Sequence, residues 1–433
     1  MRGPETMLNL ELLRSDPEGV KAGLLKRMDS VDLSPILEAD QSRRALAMRV
    51  EKARSELKKQ SKAIGALRAS GADTAAQQES TAGLADEISQ LQAELNQVEQ
   101  SLRQLMMELP NIPDAQVPVG GKEMNEVVHT WGEAPELGPD ALDHVELCTR
   151  LGLVDFARGV KLGGSGHWLY RGQGAALEWA LLDYFSREHY QAGYEFMLPP
   201  HLLTEESGFA AGQFPKFYDD VFHLVPDGGG RGSFLLPTSE TAILNTYRDE
   251  IIPDSSLPMK VFAYTPCYRK ESGGYRTEER GTIRGHQFNK VEMFQFVAPE
   301  DADAAFEEML RRTESLVENL GLHYRTSRLA SRDVSATMRK TFDVEIWIPS
   351  LGTYKEVSSV SWAGDYQARR ANIRYRPKGV KGTALVHTLN ASGLATSRLL
   401  PAIVEQNQQP DGSIVVPKPL RHWLGTDVIR PKA

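Results

Sequence analysis

Leu84, Ile88, Leu91, Leu95, Val98, Leu102 and Leu105 recur at alternating spacings of four and three, the seam of a heptad pattern. Upstream, Leu46, Val50, Ala53, Leu57, Ile64 and Leu67 form a second such seam, with the polar Gln60 in its missing step. Ser70-Gly71-Ala72-Asp73-Thr74 separates the two with turn-forming residues. The pattern predicts two long antiparallel helices, each roughly 30 residues and about 45 Å in length. Pro110, Pro113 and Pro118 then end the second helix and open a linker. Taken alone, these seams suit a dimerisation coiled coil as well as an intrachain hairpin. The short turn favours pairing within the chain.

Beyond the linker the periodicity changes. Strand-like runs at Phe196-Met197-Leu198, Lys260 to Tyr264 and Val291 to Phe296 are interspersed with helical stretches at Ala176–Arg187 and Ala302–Leu320. Strands and helices do not alternate strictly, so an α+β fold is expected: an antiparallel sheet flanked by helices, preceded by the helical hairpin. The expected division is residues 1–113, with an arm at about 41–109, and residues 114–433. No phosphate-binding Gly-rich loop followed by Lys-Ser/Thr and no dinucleotide fingerprint occurs, which argues against a P-loop or Rossmann nucleotide site.

Charge sharpens the picture of the hairpin. The net charge of −8 disfavours nucleic acid only if the charges are evenly spread. They are not. Arg43, Arg44, Arg49, Lys52, Arg54, Lys58, Lys59, Lys62 and Arg68 crowd the first helix, against Glu51 and Glu56; the second helix is acidic. A basic helix can track a phosphate backbone, although such a run is also an ordinary solvated face. With two cysteines, Cys148 and Cys267, there is neither a disulfide framework nor a zinc-ligand cluster, and a reducing cytosol fits. No apolar run is long enough to span a membrane, and the N-terminus lacks a signal-peptide core.

Four clusters carry candidate chemistry. Residues 266–296 read as a strand, a charged Gly-rich loop and a second strand, with Arg269 and Glu271 expected on one face and His286, Phe288 and Glu292 following. Guanidinium, carboxylate and aromatic ring together suit a nucleotide. Leu236-Pro237-Thr238-Ser239-Glu240-Thr241 sets hydroxyls and a carboxylate at a helix start, where capping alone could explain them. Tyr354 to Ser361 is strand-like, with Glu356 and Ser358 expected on one face. Val386 to Arg398 leads through small residues into a helix at Leu399–Gln406.

Together these clusters resemble the seryl-tRNA synthetases, a class II aminoacyl-tRNA synthetase family, nearly from end to end. Met7 to Arg14 resembles the family's opening, with residues 1–6 an extension, and the helical hairpin its tRNA-binding arm. Gly212-Gln213-Phe214-Pro215-Lys216-Phe217 is similar to a further family signature. Leu181 to Pro200 resembles motif 1, residues 266–296 motif 2, and His387 to Asn407 motif 3.

The resemblance implies a six- or seven-stranded antiparallel sheet, a homodimer formed through motif 1, and a cytoplasmic enzyme with no membrane association. It implies that L-serine and ATP give seryl-adenylate and that the seryl group passes to tRNA(Ser). It assigns ATP to Arg269, Lys270, Glu271, Phe288, Glu356, Val357, Ser358, Ser359 and Arg398, with Arg269, Glu356 and Arg398 catalytic. Phe288 and Arg398 would enclose adenine, and Glu356 and Ser359 would hold Mg2+. Thr238, Ser239, Glu240, Glu292, Asn390 and Ser392 would receive serine, and Arg49, Lys52, Lys58, Lys59 and Lys62 the tRNA.

Three stretches depart from the family pattern. Val360-Ser361-Trp362-Ala363 stands where the family has Cys-Ser-Asn-Phe, and Asn390-Ala391-Ser392 where it has Asn-Gly-Ser. The motif 2 loop, Gly274 to Gly281, also differs. These changes suggest either a housekeeping enzyme of a divergent lineage or a specialised duplicate, inhibitor-tolerant or feeding a biosynthetic pathway, in which a bulky Trp362 near the pocket excludes an adenylate mimic. A ligase that loads a carrier protein would lack the arm, and a non-catalytic paralogue would have lost Arg269, Glu271, Glu356 or Arg398; all are present.

Overall fold

The computed structural model describes residues 8–71, 73–225, 232–271 and 280–431. Two compact units emerge, Met1–Ile112 and Pro113–Ala433.

In the first unit, helices α1 (Ser34–Ala69) and α2 (Ala75–Met107) form the predicted hairpin, longer at its base than the heptads alone indicate. Pro35 occupies the first turn of α1, where its missing N–H costs nothing. Val50, Ala53, Ile64, Leu91, Leu95 and Leu102 are buried along the seam. Gln60 fills its gap by pairing across: the Thr81 hydroxyl lies 3.5 Å from its Oε1. Arg54 Nη2 likewise donates to Gln92 Oε1 at 2.9 Å, so residues further along α1 meet residues earlier in α2. The hairpin is antiparallel. Ala72, within the predicted turn, lies outside the described residues.

The second unit is built on an eight-stranded sheet. Its strands are β1 (Glu126–Trp131), β2 (Glu195–Met197), β3 (Met259–Tyr268), β4 (Gln287–Val297), β5 (Tyr324–Arg328), β6 (Lys340–Ile348), β7 (Thr353–Gly364) and β8 (His387–Ala395). Their order is β1-β5-β6-β7-β8-β4-β3-β2. Every pairing is antiparallel except that of β2 with β3. Eight strands rather than six or seven result because β1 and the three-residue β2 extend the two edges; β2 overlaps the expected run at Phe196-Met197-Leu198, whereas β1 lies outside the expected runs.

Helices α3 (Gln173–Gln191), α4 (Ser239–Thr246), α5 (Ala302–Asn319) and α6 (Thr396–Gln406) flank this sheet. Phe262, Phe294, Phe296, Phe306 and Tyr324 are fully buried in the surrounding core. That burial removes each large ring from water and fixes strand registers, because a one-residue slip would expose the apolar face. Cys148 and Cys267 are free thiols inside this packing.

Candidate active site

The middle of the sheet gathers the candidate residues. A cavity of about 750 Å³ is lined by Thr238, Glu240, Arg269, Glu271, Glu292, Glu356, Ser359, Asn390 and Ser392. It also takes in Gly212, Gln213, Lys216 and Phe217 of the segment before α4. Gly212 closes a helix with φ 79°, and a Cβ there would lie 2.5 Å from Thr337. Glycine satisfies both the left-handed turn and the close approach.

The floor comes from β4 and β8, in which Glu292 faces Ser392 across the antiparallel ladder. Lys290 and Glu292, two apart on β4, share a face. The Lys290 ammonium pairs with Glu292 Oε2 and donates to Thr238 Oγ1 at 2.7 Å. Asn390 Nδ2 reaches Glu292 Oε1 at 3.0 Å and Glu240 Oε2 at 3.2 Å. Gln367 Nε2 donates to Glu240 Oε1 at 2.6 Å, and Thr388 holds the Gln367 amide by a 2.7 Å bond to its Oε1. Among the described residues, Glu292 thus pairs with a cation, whereas Glu240 is held by amide donors. Burial, and then the Glu292 charge, push the Glu240 carboxyl up to about 7.

Thr238 caps α4, accepting from the Glu240 N–H at 3.3 Å, so its hydroxyl serves the helix and the cavity together. Ser239 turns away: fully buried, it bonds Thr265 Oγ1 at 2.6 Å and does not line the cavity. Its placement is that of a helix-packing hydroxyl rather than a substrate contact.

Strand β7 corrects the expected phase. Glu356 and Ser359, not Glu356 and Ser358, share the cavity face. The pairing with β6 slips here, Val344 facing Ser358 while Glu345 faces Glu356, so Val357 is an extra residue. Such a bulge shifts the alternation by one position. Val357 and Ser358 are consequently buried, and Ser358 Oγ ties β7 to the Ser392 carbonyl at 2.6 Å. Ser359 Oγ donates to Asp343 and lies 3.3 Å from Glu356 Oε1. Two carboxylates and a hydroxyl on one wall are a hard-oxygen donor set that fits a divalent cation bound together with phosphates. Among the described residues no three His, Cys, Asp or Glu side chains form a metal cluster by themselves.

Arg269 and Glu271 reach the cavity from beyond the strand, because β3 stops at Tyr268 and Glu271 has φ 49°. Arg269 Nε donates to the Pro237 carbonyl at 3.3 Å, and its guanidinium lies 5.2 Å from the Phe288 ring centre. Glu271 pairs with Arg284 at 2.6 Å. Lys270, Phe288 and Arg398 are not in the cavity lining. Arg398 is held instead by the Glu356 carbonyl at 2.7 Å and the Ile283 carbonyl at 3.3 Å. Most of the differing loop, residues 272–279, lies outside the described residues.

Sequence reading missed Lys290, Gln367 and Asp343. Lys290 could have been found two residues before Glu292 on one strand face; nothing local marks Gln367 or Asp343, which reach the site only through tertiary packing.

The departures on β7 and β8 face the core. Trp362 is 6 % exposed, packs in the main apolar cluster and carries Arg339 over its ring at 4.5 Å. It does not line the cavity, which overturns the expectation that it excludes an adenylate mimic. Strand alternation is the reason: Ser359 and Ser361 face the cavity, so Val360 and Trp362 face away. Val360 and Ala391 are opposite each other on β7 and β8, both fully buried. Two departures are one packing contact.

The family model "Seryl-tRNA synthetase N-terminal domain" matches residues 7–113, and "tRNA synthetase class II core domain (G, H, P, S and T)" matches residues 223–407. The protein named Serine--tRNA ligase 2 of Clostridium acetobutylicum is 53% identical over 97% of this chain and 100% of its own. The Serine--tRNA ligase of Synechococcus elongatus is 42% identical over 98% of this chain and 99% of its own. The chain belongs to the seryl-tRNA synthetase family. The crystal structure of the Pyrococcus horikoshii seryl-tRNA synthetase, complexed with ATP, superposes with a TM-score of 0.89 at 30% identity, covering 98% of this chain and 100% of its own. Cytoplasmic serine-tRNA ligase of Naegleria fowleri, in complex with AMP, gives 0.84 at 25% identity, covering 98% of this chain and 99% of its own.

Proposed function

We infer that this chain is a serine–tRNA ligase, using ATP to activate L-serine and transferring the seryl group to tRNA(Ser). The observation that carries the reading is the buried network of Thr238, Glu240, Lys290, Glu292 and Asn390 in one cavity with Arg269 and Glu356. Glu240, held by amide donors, is suited to the serine ammonium. Glu292 and Ser392 suit the hydroxyl. Alanine would forgo that hydroxyl's charge-assisted bond, worth about 1.5–3 kcal/mol.

Attack of the serine carboxylate on the α-phosphate builds charge at phosphorus. Arg269, already fixed by Pro237 and Phe288, would stabilise that charge as a preorganised donor. Glu356 and Ser359, with Asp343 orienting the hydroxyl, would hold Mg2+. Bound there, the cation would screen phosphate charge and orient the pyrophosphate leaving group. Adenine enclosure by Phe288 and Arg398 would require Arg398 to serve the nucleotide from the carbonyls that now hold it.

Residues 1–113 would serve as the tRNA-binding domain. Arg49, Lys52, Lys58, Lys59 and Lys62 are exposed on α1, as phosphate contacts must be. A homodimer through motif 1 is supported by exposed Trp179 and Tyr190 on α3 and Phe196 and Leu198 at the edge strand β2. Among the described residues no helix is long and apolar enough to cross a membrane; a cytoplasmic site of action goes with the reading.

The test is charging of total tRNA with labelled serine, with alanine, threonine and cysteine as competitors. Serine-specific charging is expected. Serine-dependent adenylate formation with no charging would overturn the tRNA step and point to a carrier acceptor.

A further inference from the structure

We propose that His144 is a positioning residue that acts as an imidazolium pin, holding residues 280–284 so that Arg284 and Glu271 meet in the cavity wall. His144 is 3 % exposed and sits at the start of a short helix, His144–Arg150. Its Nδ1 lies 2.6 Å from Glu405 Oε1, and its Nε2 3.1 Å from the Arg280 carbonyl oxygen. A carbonyl can only accept. Glu405 is already filled with donors: the His144 N–H at 2.9 Å, the Ser350 N–H at 2.8 Å and the Ser350 hydroxyl at 2.7 Å. Oε1 already accepts from the His144 N–H and the Ser350 hydroxyl, which disfavours a proton on it, so the carboxylate is the form that suits the site. Both ring nitrogens therefore face acceptors, and neutral histidine could satisfy only one of them.

The charged groups around the ring agree. Glu405 lies on α6, and Arg280, whose side chain pairs outward with Asp143 at 2.7 Å, comes from the return segment. Asp143 and Glu146 form the capping box of the short helix itself. Space is equally constrained: Gly281 has φ 74°, and a Cβ there would come within 2.5 Å of His144 Nε2.

From this pin the chain runs straight into the site. Thr282 Oγ1 bonds the Ser397 carbonyl at 2.7 Å, and the Ile283 carbonyl accepts from Arg398 at 3.3 Å. Arg284 then pairs with Glu271, and both line the cavity. The functional consequence rests on the proposed ATP role of Glu271; the ring's charge state does not.

Two measurements on the full-length protein test it. In ¹⁵N-histidine-labelled protein, one buried histidine lost in His144→Gln should show both ring nitrogens protonated; a neutral ring at that position overturns the proposal. In serine-dependent ATP–pyrophosphate exchange, His144→Gln and Glu405→Gln should each raise the KM for ATP about tenfold, one charge-assisted hydrogen bond's worth. The serine KM should stay within about twofold. A folded His144→Gln protein whose ATP KM is unchanged, or whose serine KM rises equally, overturns the positioning role. Should His144→Gln fail to fold, the wild-type ring signal that Glu405→Gln shifts, and the ATP KM of that variant, still decide. Absence of exchange in the wild type would sink the ligase reading instead, leaving the nitrogen signal to judge the pin.

Discussion

Lys290 and Glu292 form an ion pair on one face of β4, their side chains 7 % and 0 % exposed. A carboxylate so deep in the sheet needs that cation, and Thr238 and Asn390 supply the remaining bonds on either side. Removing one partner of a buried pair costs about 3–5 kcal/mol, whereas removing both charges can be nearly neutral. Lys290→Met should therefore lower stability in denaturant by about that amount. The Lys290→Met/Glu292→Gln double variant should recover most of the loss while serine activation stays impaired. Additive losses in the double variant would show that the pair is not coupled.

Glu240 poses the complementary case. With its carboxyl raised to about 7 by burial and by Glu292, the free protein holds a proton there under mildly acidic conditions. A substrate ammonium needs the anion, so serine binding must expel that proton. The serine KM should fall as pH rises from about 5.5 to about 7.5, with a log–log slope approaching one unit. Glu240→Gln should flatten this dependence and raise the KM roughly 10–100-fold, the worth of a charge-assisted bond. A wild-type KM independent of pH over that range would contradict the assignment.

The heptads and the apolar runs made the hairpin and the central strands legible, since each rests on a local period. Edge strand β1, exposed over its first five residues and with Val127 and Val128 adjacent, carries no such period. Nor could alternation alone phase β7, because the bulge at Val357 is set by its pairing with β6. That single residue moves Ser358 into the core and Ser359 into the cavity, and the same alternation beyond it sends Trp362 away from substrate. Motif chemistry singled out the candidates; only the register decided which way they face.

Trp362 then makes a prediction about the departures. Its ring belongs to the apolar core, so Trp362→Asn should cost about 3–5 kcal/mol of stability, in the range of large core truncations. The serine KM and the response to adenylate mimics should change by no more than about twofold. Ala391→Gly, which removes one methyl opposite Val360, should cost about 1 kcal/mol and likewise spare the KM. A large change in mimic binding at unaltered stability would return Trp362 to the pocket.

Glu178 on α3 bridges two of the site's supports. Its Oε1 accepts from Asn289 on β4 at 2.8 Å and from Thr396, at the start of α6, at 2.5 Å. Burial raises this carboxyl to about 7. Because the folded value lies above the unfolded one, its contribution to stability is complete below about pH 4.5 and is lost as pH rises through 7. Glu178→Gln keeps an acceptor and has no charge to bury. Relative to that variant, the wild type should lose on the order of a few kcal/mol between those limits and then level off. Parallel stability–pH curves for the two proteins would mean that Glu178 is not held protonated.

The arm can be tested apart from the chemistry, because adenylate formation involves no tRNA. Lys58 and Lys59 are exposed on α1, with Lys59 only loosely paired to Glu56 at 4.0 Å. Charge reversal at both positions leaves the α1–α2 seam untouched. Serine-dependent pyrophosphate exchange should remain at the wild-type rate. The KM for tRNA should rise, most steeply at low salt, and the salt dependence of tRNA binding should weaken by roughly one to two phosphate contacts. An unchanged tRNA KM would remove these two lysines from the interface; a loss of exchange would mean that the substitutions act on the fold rather than on recognition.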